Sequence, residues 1–139
     1  MFNRDLLRNN DLGLLVLRLS VGGLLLFHGV HKAIYGIDGI GGMLAALGLP
    51  TFLAYGALLV ELVASAMIVP GLWTRAATTA VAGNMVVAIL MAHLSTLFTV
   101  DATTGGWAAE LPALYLLGAL ALCFTGAGKY ALTHGTILD

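Results

Sequence analysis

The chain is predicted to be an all-α membrane protein: a bundle of four antiparallel transmembrane helices, with a short interfacial or re-entrant segment between the first two. Three observations carry this. Hydrophobic residues make up 60% of the 139 and charged residues 9%, with a mean hydropathy of +0.98, far from a soluble globular domain. The apolar residues gather into four stretches, 12–30, 51–72, 76–97 and 107–127, each close to the roughly 20 residues that cross a bilayer. Finally, Glu61 stands as the one charge in its stretch. Such a group costs roughly 2.5–3.5 kcal/mol or more in lipid and belongs in a bundle interior with a partner.

The length leaves room for a single domain, residues 1–139. A net charge of −1 and the absence of a basic run argue against nucleic acid and against a polybasic surface role. One cysteine, Cys123, excludes an internal disulfide and a Cys-x-x-Cys redox pair, and reads as a small apolar residue in a helix.

Arg4 and Arg8 before the first apolar stretch resemble the start of a signal peptide. Arg18 interrupts the stretch and no Ala-x-Ala-like site follows, so this reads as a retained first helix. Residues 31–50 are punctuated by Gly36, Gly39, Gly41, Gly42 and Gly48-Leu49-Pro50 around a short apolar piece, 43–47, which predicts a loop holding a brief helix. Trp73-Thr74-Arg75 is too short for anything but an antiparallel hairpin. In the third stretch Ala76, Ala80, Asn84, Ala88 and Ala92 recur every four residues, a small-residue ridge suited to close helix approach, with Asn84 bonding across the interface. Ala57, Glu61 and Ser65 form a similar ridge on the second. A ridge facing lipid would serve a homo-oligomer. The last linker, 98–106, carries Asp101 and no basic residue.

Orientation follows from the basic residues. Arg4, Arg8, Arg75 and Lys129 fall on one side against Lys32 on the other, so both termini face the cytoplasm. The chain is then a multi-pass protein of a bacterial or archaeal cell membrane, with 31–50 and 98–106 on the outer face.

The polar residues fall into two layers. Arg18 lies about two turns in from the cytoplasmic end and Glu61 near mid-membrane. At 1.5 Å per residue their levels differ by less than an arginine side chain reaches, so they are read as a buried pair, either a packing lock or part of a site. The outer layer holds His28, His31 and Lys32, with His93 and Glu110. At 100° per residue Arg18, Gly22, Gly29 and Lys32 share one face of the first helix, His28 lies beside it and His31 turns away. A bis-histidine haem and a His–His–Glu metal site are allowed but not selected. No metal is assigned. A quinone head group needs a donor and a proton acceptor beside lipid, and His28, His93 and Glu110 supply both, with Lys32 just above them.

Arg18-Leu19 with Gly22, His28-Gly29 with Lys32, Leu47-Gly48-Leu49-Pro50, Glu61, Gly71-Leu72-Trp73-Thr74-Arg75, Met91-Ala92-His93, Glu110 with Tyr115, and Gly126-Ala127-Gly128-Lys129-Tyr130 together resemble the DoxX family of small bacterial and archaeal membrane proteins. The chain departs from that pattern at Ala127, where the family often has proline, and at Ala131-Leu132-Thr133. The resemblance implies a four-helix bundle that is a subunit of a quinol- or thiosulfate:quinone-linked oxidoreductase, or a partner in an oxidative-stress complex.

Two functions follow as expectations. In the first, the outer pocket binds quinone or quinol while a separate protein supplies electrons, because no flavin, nucleotide or iron–sulfur motif is present. In the second, the chain is a membrane anchor or scaffold for soluble partners and its buried charges are structural. Transport through four short helices without a repeat has little room for alternating access.

Overall fold

The computed structural model describes residues 8–139, so Arg4 lies outside them. Five helices order the described chain: α1 (Asn10–Tyr35), α2 (Asp38–Ala46), α3 (Thr51–Ile68), α4 (Thr74–Thr96) and α5 (Glu110–Thr125). The 26, 18 and 23 residues of α1, α3 and α4 are long and apolar enough to cross a membrane. At 16 residues, α5 is shorter, about 24 Å. This is an all-α membrane protein with three long apolar helices and a shorter C-terminal one.

Local chemistry sets the boundaries. Asn9 opens α1 by accepting the Leu12 N–H at 3.0 Å, satisfying one of the first-turn donors. The helix runs past the expected 30 to Tyr35, where Gly36 at φ 93 stops it. Conversely, α3 stops at Ile68 rather than 72. Pro70 has no N–H to continue the ladder, and Gly71 and Trp73, at φ 77 and 42, turn the chain into α4. The brief helix expected between the first two spans is α2.

The long helices close into a ring, α1 on α3, α3 on α4, α4 on α5 and α5 back on α1. Glycines allow the closest approaches. A Cβ on Gly29 of α1 would stand 2.6 Å from the Glu61 carbonyl, and one on Gly118 of α5 would stand 2.6 Å from Val21 Cγ2. Val21, Leu25, Ile68, Val81, Met85 and Leu122 fill the centre. On α4 the buried stripe is Thr74, Ala77, Thr78, Val81, Ala82 and Met85. The ridge read from the sequence is therefore set to one side of the core: Ala80 and Ala92 are exposed, because 77, 81 and 85 turn inward.

The two ends of the bundle differ. Residues 126–139 fold back across the α3–α4 turn: Leu132 and Thr133 donate to Pro70 and Gly71 carbonyls at 3.1 and 3.2 Å, and the Leu138 carbonyl caps the first turn of α4 by accepting from Arg75 N at 2.9 Å. Lys129 N donates to Asp11 at the start of α1 at 3.0 Å. This terminus face thus gathers the start of α1, the hairpin and the tail. The opposite, loop face carries α2, which packs on the start of α3 and on residues 89–93 of α4, together with the 97–109 loop.

Candidate functional site

Glu61, 5% exposed, projects from a π turn in α3, Val60–Ala64. Lys32 of α1 forms an ion pair with its Oε2, and Asn84 of α4 donates to its Oε1 at 3.3 Å. Tyr115 of α5 lies within electrostatic reach of the same carboxylate. Against Tyr115, the His28 ring stands edge-on with centroids 5.9 Å apart and an interplanar angle of 83°. All four helices of the ring therefore contribute to one cluster, α1 through both Lys32 and His28.

Its chemistry is graded from inside to outside. The carboxylate accepts, the ammonium and carboxamide donate, and the phenol and imidazole can do either. His28 is exposed at the seam of α1 and α5, beside Phe27, Leu111 and Leu114, which are also exposed. The cluster thus has a buried charged floor and a lipid-facing edge. Asn84 and Glu61 meet across the α3–α4 interface.

The expected Arg18–Glu61 pair does not form. Arg18 is fully buried and donates through Nη1 to the Val69 carbonyl at 3.1 Å and through Nη2 to the Tyr130 carbonyl. The reason is register. Gly29, not Arg18, is level with Glu61, and the separation of eleven positions puts Arg18 about 16 Å lower. Lys32 is one turn above Gly29 and on the same face, so it reaches down to the carboxylate while its side chain stays 25% exposed. Ser65 is buried, one turn from Glu61 toward the terminus face.

Of the outer rim, the structure brings in His28 and Lys32 only. Among the described residues no hydrogen bond or ion pair joins His93 or Glu110 to them, and no three His, Cys, Asp or Glu side chains converge as a metal site. Glu110 is turned onto its own loop, with Oε2 2.6 Å from where a Gly106 Cβ would stand. His93 ends another π turn, Ile89–His93, and is half-buried. In the neighbouring loop the hydroxyl of Thr103, followed by the Thr103 and Thr104 amides, holds the Asp101 carboxyl below its ordinary range. This is a local turn device.

Two features were not read from the sequence as site features. Tyr115 packs edge-on against His28 beside the carboxylate, and its signal was its apolar setting midway along the last stretch. The π turns are the other. Leu19–Gly23, Val60–Ala64 and Ile89–His93 interrupt all three long helices, and such turns concentrate at functional sites. No residue pattern announces them.

With the geometry in place, comparison with known proteins decides the family. Residues 13–94 match the DoxX family model. The chain belongs to the DoxX family. It is also 30% identical over 122 residues to a Bacillus subtilis (strain 168) protein named "Putative oxidoreductase CatD", covering 88% of this chain and 85% of the relative. No solved structure matches the chain. This DoxX protein therefore has a relative whose name assigns it to redox chemistry, and the residues matched to the family model include His28, Lys32, Glu61, Asn84 and His93.

Proposed function

We propose that this DoxX protein is the membrane subunit of a quinone-linked oxidoreductase or redox-stress complex, and that it engages a quinone-like head group at the His28–Tyr115 edge of the Lys32–Glu61–Asn84 cluster. The observation that carries the reading is the charged floor beneath a lipid-facing imidazole and phenol. A membrane-soluble ligand enters such a seam sideways, meets donors for its carbonyl oxygens, and finds a proton acceptor within the bundle. Electrons come from a separate redox protein, because quinone reduction needs a donor group and this chain offers no motif for one. The name of the Bacillus subtilis relative supports a redox role.

The test is titration of the purified protein in nanodiscs with a short-chain quinone analogue. Wild type should bind saturably, and His28→Ala should weaken binding at least about tenfold, near 1.4 kcal/mol. Glu110→Gln should leave it unchanged, since that carboxylate faces its own loop; an equal loss would restore the wider His28–His93–Glu110 rim. Absence of saturable binding in wild type would sink the proposal.

A second reading has its own observation. Gly29 brings the α1 backbone against the Glu61 carbonyl while Lys32 and Asn84 occupy both carboxylate oxygens, as in a self-satisfied lock of a scaffold protein. Copurification of soluble partners without quinone would favour it.

Four crossings with both termini in the cytoplasm complete the proposal. The support is that α5 returns the chain from the loop face to the terminus face, where Arg8, Arg75 and Lys129 cluster. Reporter fusions after Lys129 should read cytoplasmic and insertions at Gly105 external; the reverse pattern would overturn the orientation.

A further inference from the structure

Between Glu61 and the terminus face the core is polar in a way that packing does not explain. Ser65, Thr74, Thr78 and Arg18 are all fully buried there. Thr78 donates to the Thr74 carbonyl at 2.8 Å. Ser65 Oγ, Thr74 Oγ1 and Arg18 Nε have no hydrogen-bond partner among the described residues. Buried polar atoms are seldom left unmet, and where the protein does not satisfy them an internal water does.

Ser65 comes from α3, Thr74 and Thr78 from the first turns of α4, and Arg18 from α1, all on the terminus side of Glu61. Ser65 is one turn below Glu61, about 6 Å. Gly22 packs on the Ser65 carbonyl, and Arg18, one turn further along α1, donates to Val69, one turn further along α3. Arg18 Nη1 also abuts Gly71, three residues before Thr74. Beyond them, Thr133 donates to the Gly71 carbonyl and lines an open polar cavity of about 280 Å³ with Arg75, Thr125 and Thr136 on the terminus face.

We infer that ordered waters complete the hydrogen bonds of Ser65, Thr74 and Arg18, and that this column carries protons between the terminus-face cavity and the Glu61 carboxylate. The step of about one helical turn from Ser65 to Glu61 is within reach of one or two waters. A proton enters at the cavity, each water or hydroxyl accepts one proton and passes on another, and Glu61 gains one at a carboxylate oxygen. Nothing is oxidised or reduced, and the column returns to its starting state when the proton leaves. The Val69 carbonyl just past the end of α3 and the Tyr130 carbonyl of the tail accept from Arg18 and offset its charge, while that fixed cation opposes entry of sodium or potassium. The groups facing Glu61 are Lys32 from α1, Asn84 from α4 and Tyr115 from α5, with His28 behind Tyr115. The inference rests on the proposed role of Glu61 as the exchangeable floor of the head-group site.

The test uses full-length protein inserted in one orientation in vesicles, with pH set separately on each side. A hydrophobic carbodiimide reacts with protonated carboxyls in lipid, and its adduct on the Glu61 peptide is read by mass spectrometry, with Glu61→Gln as the blank. Labelling should follow the pH of the terminus side. Ser65→Ala and Thr74→Val should each slow it by about tenfold, as loss of one hydrogen-bonded link would. Lys32→Met, which removes the opposing cation, provides a second background in which the same sidedness and the same losses should appear. Labelling that follows the loop-side pH, that ignores both hydroxyl substitutions, or that is absent at every pH in both backgrounds would overturn the column. Short-chain quinone titration of Ser65→Ala should match wild type, so loss of quinone binding and loss of the proton path are read separately.

Discussion

Lys32 and Arg18 share one face of α1, yet the bundle treats the two cations differently. Lys32 meets a carboxylate, and a quarter of its side chain reaches the surface. Arg18 is fully buried and meets backbone carbonyls from two separate segments, the end of α3 and the tail. The difference follows from side-chain chemistry. A guanidinium carries several donors in a fixed fork and so can tie two segments together, whereas an ammonium is a point charge on a flexible stem that can let go. The terminus-side cation is thus a fastener and the loop-side cation a partner that can be exchanged, and only the second reaches the surface.

This contrast can be broken most directly at Arg18. Arg18→Met strands the Val69 and Tyr130 carbonyls, each worth about 1–3 kcal/mol, and relief from burying a charge offsets part of that. A net loss of about 2–4 kcal/mol is expected in detergent melts, with residues 126–139 becoming protease-sensitive. Arg18→Lys should fall between, because one ammonium cannot bridge both carbonyls. A tail that stays protected in Arg18→Met would show that Arg18 is not the fastener.

A smaller effect is expected at the other cation. Glu61→Gln removes the counter-charge of Lys32, but the ammonium can extend to the loop-side interface, so the loss should be about 1–2 kcal/mol rather than the 3–5 of a sealed pair. Adding Lys32→Met should recover part of it, and the coupling between the two substitutions measures the pair. Lys32→Arg should cost least, under about 1 kcal/mol, since the charge is kept and the surface end is free. Additive effects of Glu61→Gln and Lys32→Met would show that the two groups do not interact.

Much of the cluster was legible beforehand. Four-residue spacing put Ala57, Glu61 and Ser65 on one ridge, and wheel angles put Arg18, Gly22, Gly29 and Lys32 on one face of the first helix. The partner of Glu61 was not legible, because Arg18 and Lys32 satisfy the same angular rule and differ only in height. Height depends on how α1 slides against α3, and Gly29 on the Glu61 carbonyl sets it. Glu110 was misjudged for a related reason. A loop glycine leaves space into which its side chain folds.

By itself, the sequence determined the membrane class, the apolar helices, the hairpin between the second and third, and the presence of opposite charges too costly to leave unpaired in lipid. These follow from composition and from periods of one helical turn, which are local. The tertiary structure alone decided which cation meets Glu61, that Arg18 reaches Val69 instead, and that the tail closes over Arg18. Those contacts link residues 29, 51 and 112 positions apart, and no local pattern encodes the axial register that brings them together.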